Sequence, residues 1–266
     1  MLDRFDRKID YLRISVTDRC NLRCRYCMPE EGVLLFNKKE ILTYEQIHDF
    51  SKVAAGLGIR KIRITGGEPL IRKNITDLIA KLSSINGIED LSMTTNGTLL
   101  CHMAGKLKDA GLRRINISLD TMDREKYSHI TRGGEIEHAI KGIESSVKAG
   151  LVPIKINCVV KNNSQEQDAL SVKDFAEKNG LQIRFIKMMD LEKGSFGKVE
   201  GGGGGDCARC NRLRLTSNGF LKPCLFSSIK YDIRKIGYEN ALKQAIDNKP
   251  ACGIATTGES FYNIGG

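Results

Sequence analysis

Six of the nine cysteines in this chain fall into two groups of three. The first is Cys20, Cys24 and Cys27, separated by three and two residues; the second is Cys207, Cys210 and Cys224, separated by two and thirteen. Protein iron-sulfur clusters are ordinarily held by four thiolates, so each trio points to a 4Fe-4S cluster with one iron left open for another ligand. Structural zinc is the alternative, but zinc usually takes a fourth Cys or His close by. His48, His102, His129 and His138 are all distant from the first trio and lie in or beside helical patterns. For the second trio, spacing alone leaves a zinc site closed by a distant ligand open. Cys101, Cys158 and Cys252 fit no ligand spacing and read as small apolar packing residues.

Other residues with chemical potential sit in or just after strand-like runs. Arg13, Arg63, Lys155 and Arg184 each interrupt an apolar run, where a charge is costly unless it meets an opposite one. Singly, each fits a buried ion pair or a strand-end surface position. Together they suit a cage for a polyphosphate, because guanidinium forks present paired donors to phosphate oxygens. Thr65-Gly66-Gly67-Glu68-Pro69-Leu70 places two glycines after a strand, where a ligand could approach the backbone closely. Thr94 and Ser118 end strands, and Arg212 and Arg214 follow Cys210. No general acid or base of the His or carboxylate type is evident.

The elements that must hold these residues alternate. Strand-like runs rich in Ile, Val or Leu cover residues 12–16, 61–65, 90–94, 114–119, 154–160 and 182–187. Between them, helical periodicity marks the segment after Leu42, with Thr43 and Gln46 in capping-box positions, and residues 75–84, 99–110, 136–149 and 169–178. Six such repeats imply an α/β fold with a parallel sheet, and the pattern leaves an open doubly wound sheet and a partial barrel undivided. The expected organisation is a barrel domain over residues 1–189, a shortened glycine-rich connector over 190–206 and an auxiliary region over 207–266. The connector contains Gly201 to Gly205 and reads as flexible. The last region reads as a hairpin with Ser217-Asn218-Gly219 at its tip, then a helix over 238–246 and a tail ending Ile264-Gly265-Gly266.

Length and charge narrow the partners. Lys and Arg number 42 against 32 Asp and Glu, a net charge of +10, while aromatics are 6 % and Trp is absent. Scattered basic residues with so few aromatics favour a small polyanion over nucleic acid. No stretch approaches the roughly 18 apolar residues of a membrane span, and no signal peptide is apparent. A cytoplasmic protein is expected, where thiols stay reduced.

Thr17-Asp18-Arg19-Cys20-Asn21-Leu22-Arg23-Cys24-Arg25-Tyr26-Cys27-Met28-Pro29 resembles the cysteine loop of the radical S-adenosylmethionine (SAM) enzymes. The Gly-Gly-Glu turn resembles that family's motif for the SAM amino group. Cys210-Asn211-Arg212-Leu213-Arg214-Leu215-Thr216, Lys222-Pro223-Cys224-Leu225-Phe226 and the terminal double glycine resemble the GTP 3',8-cyclase family within it. The resemblance runs from Leu12 onward and tips the fold toward a partial (β/α)6 barrel of the TIM type, with chemistry at the carboxyl ends of its strands.

The resemblance implies two 4Fe-4S clusters, with Cys20, Cys24 and Cys27 at the SAM cluster and Cys207, Cys210 and Cys224 at an auxiliary one that faces the guanine of GTP. Tyr26, Gly67, Ser118 and Met189 would line the SAM pocket. Arg13, Arg63, Thr94, Lys155, Arg184, Arg212 and Arg214 would contact GTP, with Arg212 and Arg214 catalytic and Arg214 steering a late electron and proton step. It also implies a lyase that makes 3',8-cyclo-7,8-dihydro-GTP in molybdenum cofactor biosynthesis. A low-potential electron donor, hand-off to cyclic pyranopterin monophosphate synthase and a possible homodimer follow from the same analogy. The family usually inserts several dozen residues between Met189 and Cys207, where this chain has seventeen. A radical SAM peptide-modifying enzyme and a non-catalytic iron-sulfur electron carrier are the rival readings. The first would carry more C-terminal cysteines and a peptide-recognition extension, and the shortened connector alone favours the second.

Overall fold

Alternation with a period of two governs the strands, and it sorts polar from apolar residues without exception in the strand that opens the barrel. In β1 (Tyr11–Ser15), Leu12 and Ile14 have no exposed surface and face the covering helices, while Tyr11 and Arg13 face a central cavity. The same rule holds in β2 (Lys61–Thr65), β3 (Asp90–Thr95), β4 (Arg114–Ser118), β5 (Lys155–Val160) and β6 (Gln182–Lys187). Ile62, Ile64, Met93, Ile115, Ile117 and Ile156 are fully buried on the helix side. Each such side chain contributes about 1.5–3 kcal/mol when removed from water.

The computed structural model describes residues 1–190, 192–194 and 196–255. Its sheet has nine strands in the order β6-β5-β4-β3-β2-β1-β7-β8-β9. Strands β1 to β6 are all parallel, and helices α1 (Tyr44–Gly56), α2 (Ile75–Ser83), α3 (Ala104–Asp109), α4 (Arg124–Thr131), α5 (Ile136–Lys148) and α6 (Gln167–Lys178) fill the crossovers. This is the α/β partial barrel expected from the sequence. After it, β7 (Arg212–Leu215) pairs parallel with β1, so Arg214 stands beside Arg13, and β8 (Phe220–Lys222) returns antiparallel. A two-residue β9 (Tyr231–Asp232), a short α7 (Ile233–Ile236) and α8 (Tyr238–Asp247) follow. The hairpin therefore extends the barrel sheet itself.

Several expectations change. The helix expected over 99–110 is divided into a 3-10 turn, Leu100–His102, and α3, because Met103 takes φ −121° and its amide bonds back to Leu100 at 3.0 Å. Helix α4 was not expected; among its residues only Tyr127 and Thr131 are buried, too few to give an apolar stripe. Its start is set by Asp123, whose side chain accepts from the Lys126 amide at 2.8 Å. The glycine-rich segment is not a free connector. Glu200 bridges to Phe185, and Val199 donates to the Gly204 carbonyl at 2.8 Å, folding the glycines back over β6. The capping box at Thr43 and Gln46 is present as read. The terminal Ile264-Gly265-Gly266 lies outside the described residues. Among the described residues no helix is long and apolar enough to cross a membrane.

Helix α5 rests on the turn after β3 through Gly142, where a Cβ would stand 2.1 Å from the Gly97 carbonyl oxygen. Alanine at a mid-helix glycine ordinarily gains about 1 kcal/mol, but overpacking costs about 1–3 kcal/mol and more where backbone must move. Gly142→Ala should therefore lower stability in urea unfolding of the full chain, and a gain would contradict this packing.

Candidate active site

The first cysteine trio hangs on the carboxyl end of β1 and is held from two sides. On one, Thr17 and Arg19 carbonyls accept the amides of Gly67 (2.7 Å) and Glu68 (2.8 Å). A Cβ on Gly67 would lie 2.2 Å from the Arg19 oxygen, so here the glycine is required by the cysteine loop's own backbone. On the other, Arg23 and Arg25 amides donate to Thr131 and Ile130 of α4, and Arg132 donates to the Arg23 and Met28 carbonyls at 2.9 Å each. Within the loop the Cys24 carbonyl accepts from both Cys27 and Met28 amides. Burial, then Asp120 and the other two thiols, pushes Cys24 up to about 12; burial and then Cys20 push Cys27 up to about 11. Such thiols become thiolates when iron displaces their protons.

Glu68 anchors the next strand end. Its carboxylate is fully buried and accepts from the Leu70 amide (3.0 Å), the Thr95 hydroxyl (2.7 Å) and the Asn96 amide (2.7 Å), while burial pushes it up to about 7. Asp120, after β4, accepts from the Tyr26 hydroxyl (2.7 Å) and the Val159 amide (2.8 Å). Glu68 entered the sequence reading only as part of the Gly-Gly-Glu turn and Asp120 not at all; their position just past a barrel strand was the available signal.

The second trio is set by the 3-10 turn Cys207–Arg209 and by the β7-β8 hairpin. Between these elements Lys249 is buried, donating to the Arg212 carbonyl at 2.8 Å and the Pro223 carbonyl at 2.5 Å. Burial alone would raise the Cys210 thiol, but the Lys249 charge and the Arg212 amide bring it below its ordinary value. Both trios line one cavity of about 780 Å³. Three thiols in the first group fit a three-thiolate seat for a multi-iron cluster; the second group offers the same three, with the Cys252 sulfur lying beside that of Cys207. Among the described residues no three His, Cys, Asp or Glu side chains converge as the ligands of a single ion would.

Between the trios the lumen is cationic. Arg214, Arg13 and Arg63 occupy adjacent register positions on β7, β1 and β2. Arg63 bonds Ser92 at 3.3 Å, and both Arg63 and Arg212 lie over the Tyr11 ring, at 5.5 and 5.9 Å. Burial and then neighbouring arginines push Arg63 and Arg214 down to about 10, and hold Arg13 well below the ordinary arginine value. Asp90 is taken by Arg114. Buried polar atoms without a hydrogen-bond partner among the described residues include Tyr11 Oη, Thr94 Oγ1, Asn157 Oδ1 and Arg212 Nε; in a native fold such atoms are met by ordered water or by a ligand's polar groups.

Of the residues singled out in the sequence, Tyr26, Gly67, Ser118 and Met189 all line the cavity, as do Arg13, Arg63, Thr94, Arg184, Arg212 and Arg214. Lys155 does not line it. It begins β5 beside Gln182, where burial and then Arg184 and Arg114 lower its pKa. Arg184 and Arg212 also donate to the glycine-rich segment, at the Gly201 (3.3 Å) and Gly203 (2.7 Å) carbonyls. No histidine lines the cavity.

Residues 14–176 match the radical SAM superfamily. The chain is 41 % identical to the GTP 3',8-cyclase of Moorella thermoacetica over 279 residues, covering 88 % of this chain and 86 % of that one. It is 38 % identical to the GTP 3',8-cyclase of Clostridium botulinum strain Langeland over 305 residues, 99 % of this chain and 92 % of that one. The chain belongs to the GTP 3',8-cyclase family of radical SAM enzymes.

The alignments with these cyclases run longer than this whole chain, so the relatives carry several dozen residues that it lacks, in keeping with the short 190–206 segment. Among solved structures, Streptococcus suis SuiB bound to S-adenosylmethionine matches with a TM-score of 0.66 at 17 % identity, over 92 % of this chain and 65 % of that one. Methylornithine synthase matches with a TM-score of 0.56 at 15 % identity, over 74 % and 60 %. The chain thus spans less than two thirds of those enzymes, and they speak to the fold alone. The peptide-modifying reading is not favoured beside cyclase relatives at this identity.

Because the folded-state pKa of Glu68 is raised from its ordinary 4.5 to about 7, this group's contribution to stability is complete below pH 4.5 and is lost as pH rises through about 7. Urea unfolding should accordingly show the chain losing stability relative to Glu68→Gln between pH 5 and pH 8. An equal difference at both would contradict a carboxyl protonated on folding.

Proposed function

We propose that this chain converts GTP to 3',8-cyclo-7,8-dihydro-GTP, the entry reaction of molybdenum cofactor biosynthesis, with one 4Fe-4S cluster on each cysteine trio. The observation that carries this reading is that two three-thiol groups line one cavity whose intervening wall is built from guanidiniums. Cys20, Cys24 and Cys27 would hold the cluster that binds SAM, and Cys207, Cys210 and Cys224 the one that binds the guanine. When bound, the first cluster would supply the electron for reductive cleavage of SAM, the chemistry by which the ribose 3'-hydrogen would be removed, and a later electron and proton would complete the joining of the 3'-carbon to C8.

The protein's own share is positioning. Arg13, Arg63 and Arg214 would hold the triphosphate by charge-assisted pairs, with Arg184, Arg212 and Thr94 completing the nucleotide's contacts and Lys155 adding charge from the start of β5, near Arg184 and Arg114. Tyr26, Gly67, Ser118 and Met189 would bound the SAM side, where Asp120 fixes the Tyr26 hydroxyl. Held in near contact, reacting atoms gain several kcal/mol of barrier reduction from orientation alone. The absence of a histidine from the cavity wall fits a reaction driven by hydrogen-atom transfer. A low-potential one-electron donor feeds the first cluster, the product passes to cyclic pyranopterin monophosphate synthase, and the working unit is a homodimer.

The test is anaerobic incubation of the reconstituted chain with dithionite, SAM and GTP, followed by chromatography. 5'-Deoxyadenosine together with a cyclised nucleotide is the expected outcome; deoxyadenosine alone would indicate another substrate, and neither would indicate a non-catalytic carrier. Arg63→Ala should raise the KM for GTP by about tenfold or more, the loss of a charged hydrogen bond. Arg214→Ala should form deoxyadenosine while losing most cyclised product. Full cyclisation by Arg214→Ala would refute its part in the late electron and proton step.

A further inference from the structure

Cys252 belongs to neither trio, yet its Sγ lies 3.5 Å from that of Cys207. The contact is held by backbone on both sides. Arg7, buried and ion-paired with Asp3 at 2.7 Å, donates from one nitrogen to the carbonyls of both Cys207 (2.8 Å) and Ala251 (3.0 Å), and from another to Pro250 (2.7 Å). One guanidinium therefore clamps together the two segments that carry the sulfurs. Past Cys252, the Ile254 amide donates to the Phe226 carbonyl at 3.0 Å, and Gly253 passes where a Cβ would come 2.6 Å from the Phe226 side chain. Cys252 is exposed and Cys207 partly buried, so a small oxidant reaches the pair from solvent.

Sulfurs already in contact need only close to the bonded distance of about 2.0 Å. We propose that Cys207 and Cys252 form a reversible disulfide, a modification site at the edge of the second thiol group that withholds Cys207 from iron. Only the withholding rests on the second cluster proposed above; the bond itself does not require it. With a low-molecular-weight disulfide as oxidant, one cysteine thiolate attacks it and releases a small thiol, and the other cysteine then displaces the second. One sulfur-sulfur bond forms and one breaks, the two cysteines lose two electrons and two protons, and the oxidant gains both. A dithiol reverses the exchange. While closed, the bond also keeps Cys207 from oxidation beyond the sulfenic level.

The full chain, stripped of iron and reduced, is treated under argon with oxidised glutathione, and its cysteines are mapped by alkylation and mass spectrometry. A linked peptide joining Cys207 to Cys252 is expected, with the loss of two hydrogens; it should be absent from Cys252→Ser and should revert with dithiothreitol. Loading with iron and sulfide without a dithiol should then give about four irons per linked chain and about eight per reduced chain, with Cys20, Cys24 and Cys27 verified free in both. Absence of the link, or Cys207 linking chiefly elsewhere, overturns the site. A linked chain that still takes about eight irons overturns the withholding. A reduced chain that takes only about four refutes the second cluster and the withholding with it, while the map independently decides the bond.

Discussion

Repulsion between guanidiniums confined in the barrel lumen is the constraint around which this molecule is arranged. Like charges 4 Å apart repel by roughly 4 kcal/mol at the effective dielectric of a protein's partly wet interior, and Arg13, Arg63 and Arg214 occupy neighbouring register positions with Arg184 and Arg212 beside them. The fold tolerates them because the helix side of the strands from β1 to β5 is mainly apolar and buried, so much of the sheet's stability is supplied from outside the lumen. Tyr11 offers its ring face to two of the cations. The glycine-rich segment offers carbonyls to Arg184 and Arg212. A bound polyanion would relieve what remains.

The thiol groups depend on the same scaffold in different ways. The first is bonded to the ends of β2 and to α4, so its geometry follows from the barrel. The second is attached through β7, which adds to the barrel at β1 and brings Arg214 level with Arg13. That one pairing both closes the cationic arc and brings the second trio to the cavity. Lys249 completes the junction by joining the carbonyls of Arg212 and Pro223 from beneath.

Much of this was legible in the sequence because strand parity is a local property. Arg13 and Arg63 stand out in apolar runs, and a period of two turns them to one face; the limits of the six barrel strands read from pattern fall within one residue of those observed. What was missed depended on tertiary contact. Helix α4 carries only two buried side chains and so leaves no stripe, although it clamps the first cysteine loop. The five glycines read as a flexible connector because composition is silent about where their carbonyls bond. Lys155 shares the parity of the lumen residues yet does not line the cavity, although Lys61, Asp90 and Arg114 at the starts of their own strands do, so parity alone did not separate it from them. Cys252 has no ligand spacing, and its contact with Cys207 exists only once Arg7 joins segments 200 and 244 residues away from it.

The central claim is that the arginine arc is a seat for a triphosphate, and thermal unfolding of the chain with tripolyphosphate tests it without any turnover. The account predicts that tripolyphosphate raises Tm, more at low salt than at high salt, that guanosine alone raises it far less, and that Arg63→Ser with Arg214→Ser abolishes the rise. A Tm unmoved by tripolyphosphate, or raised equally in the double variant, would contradict it.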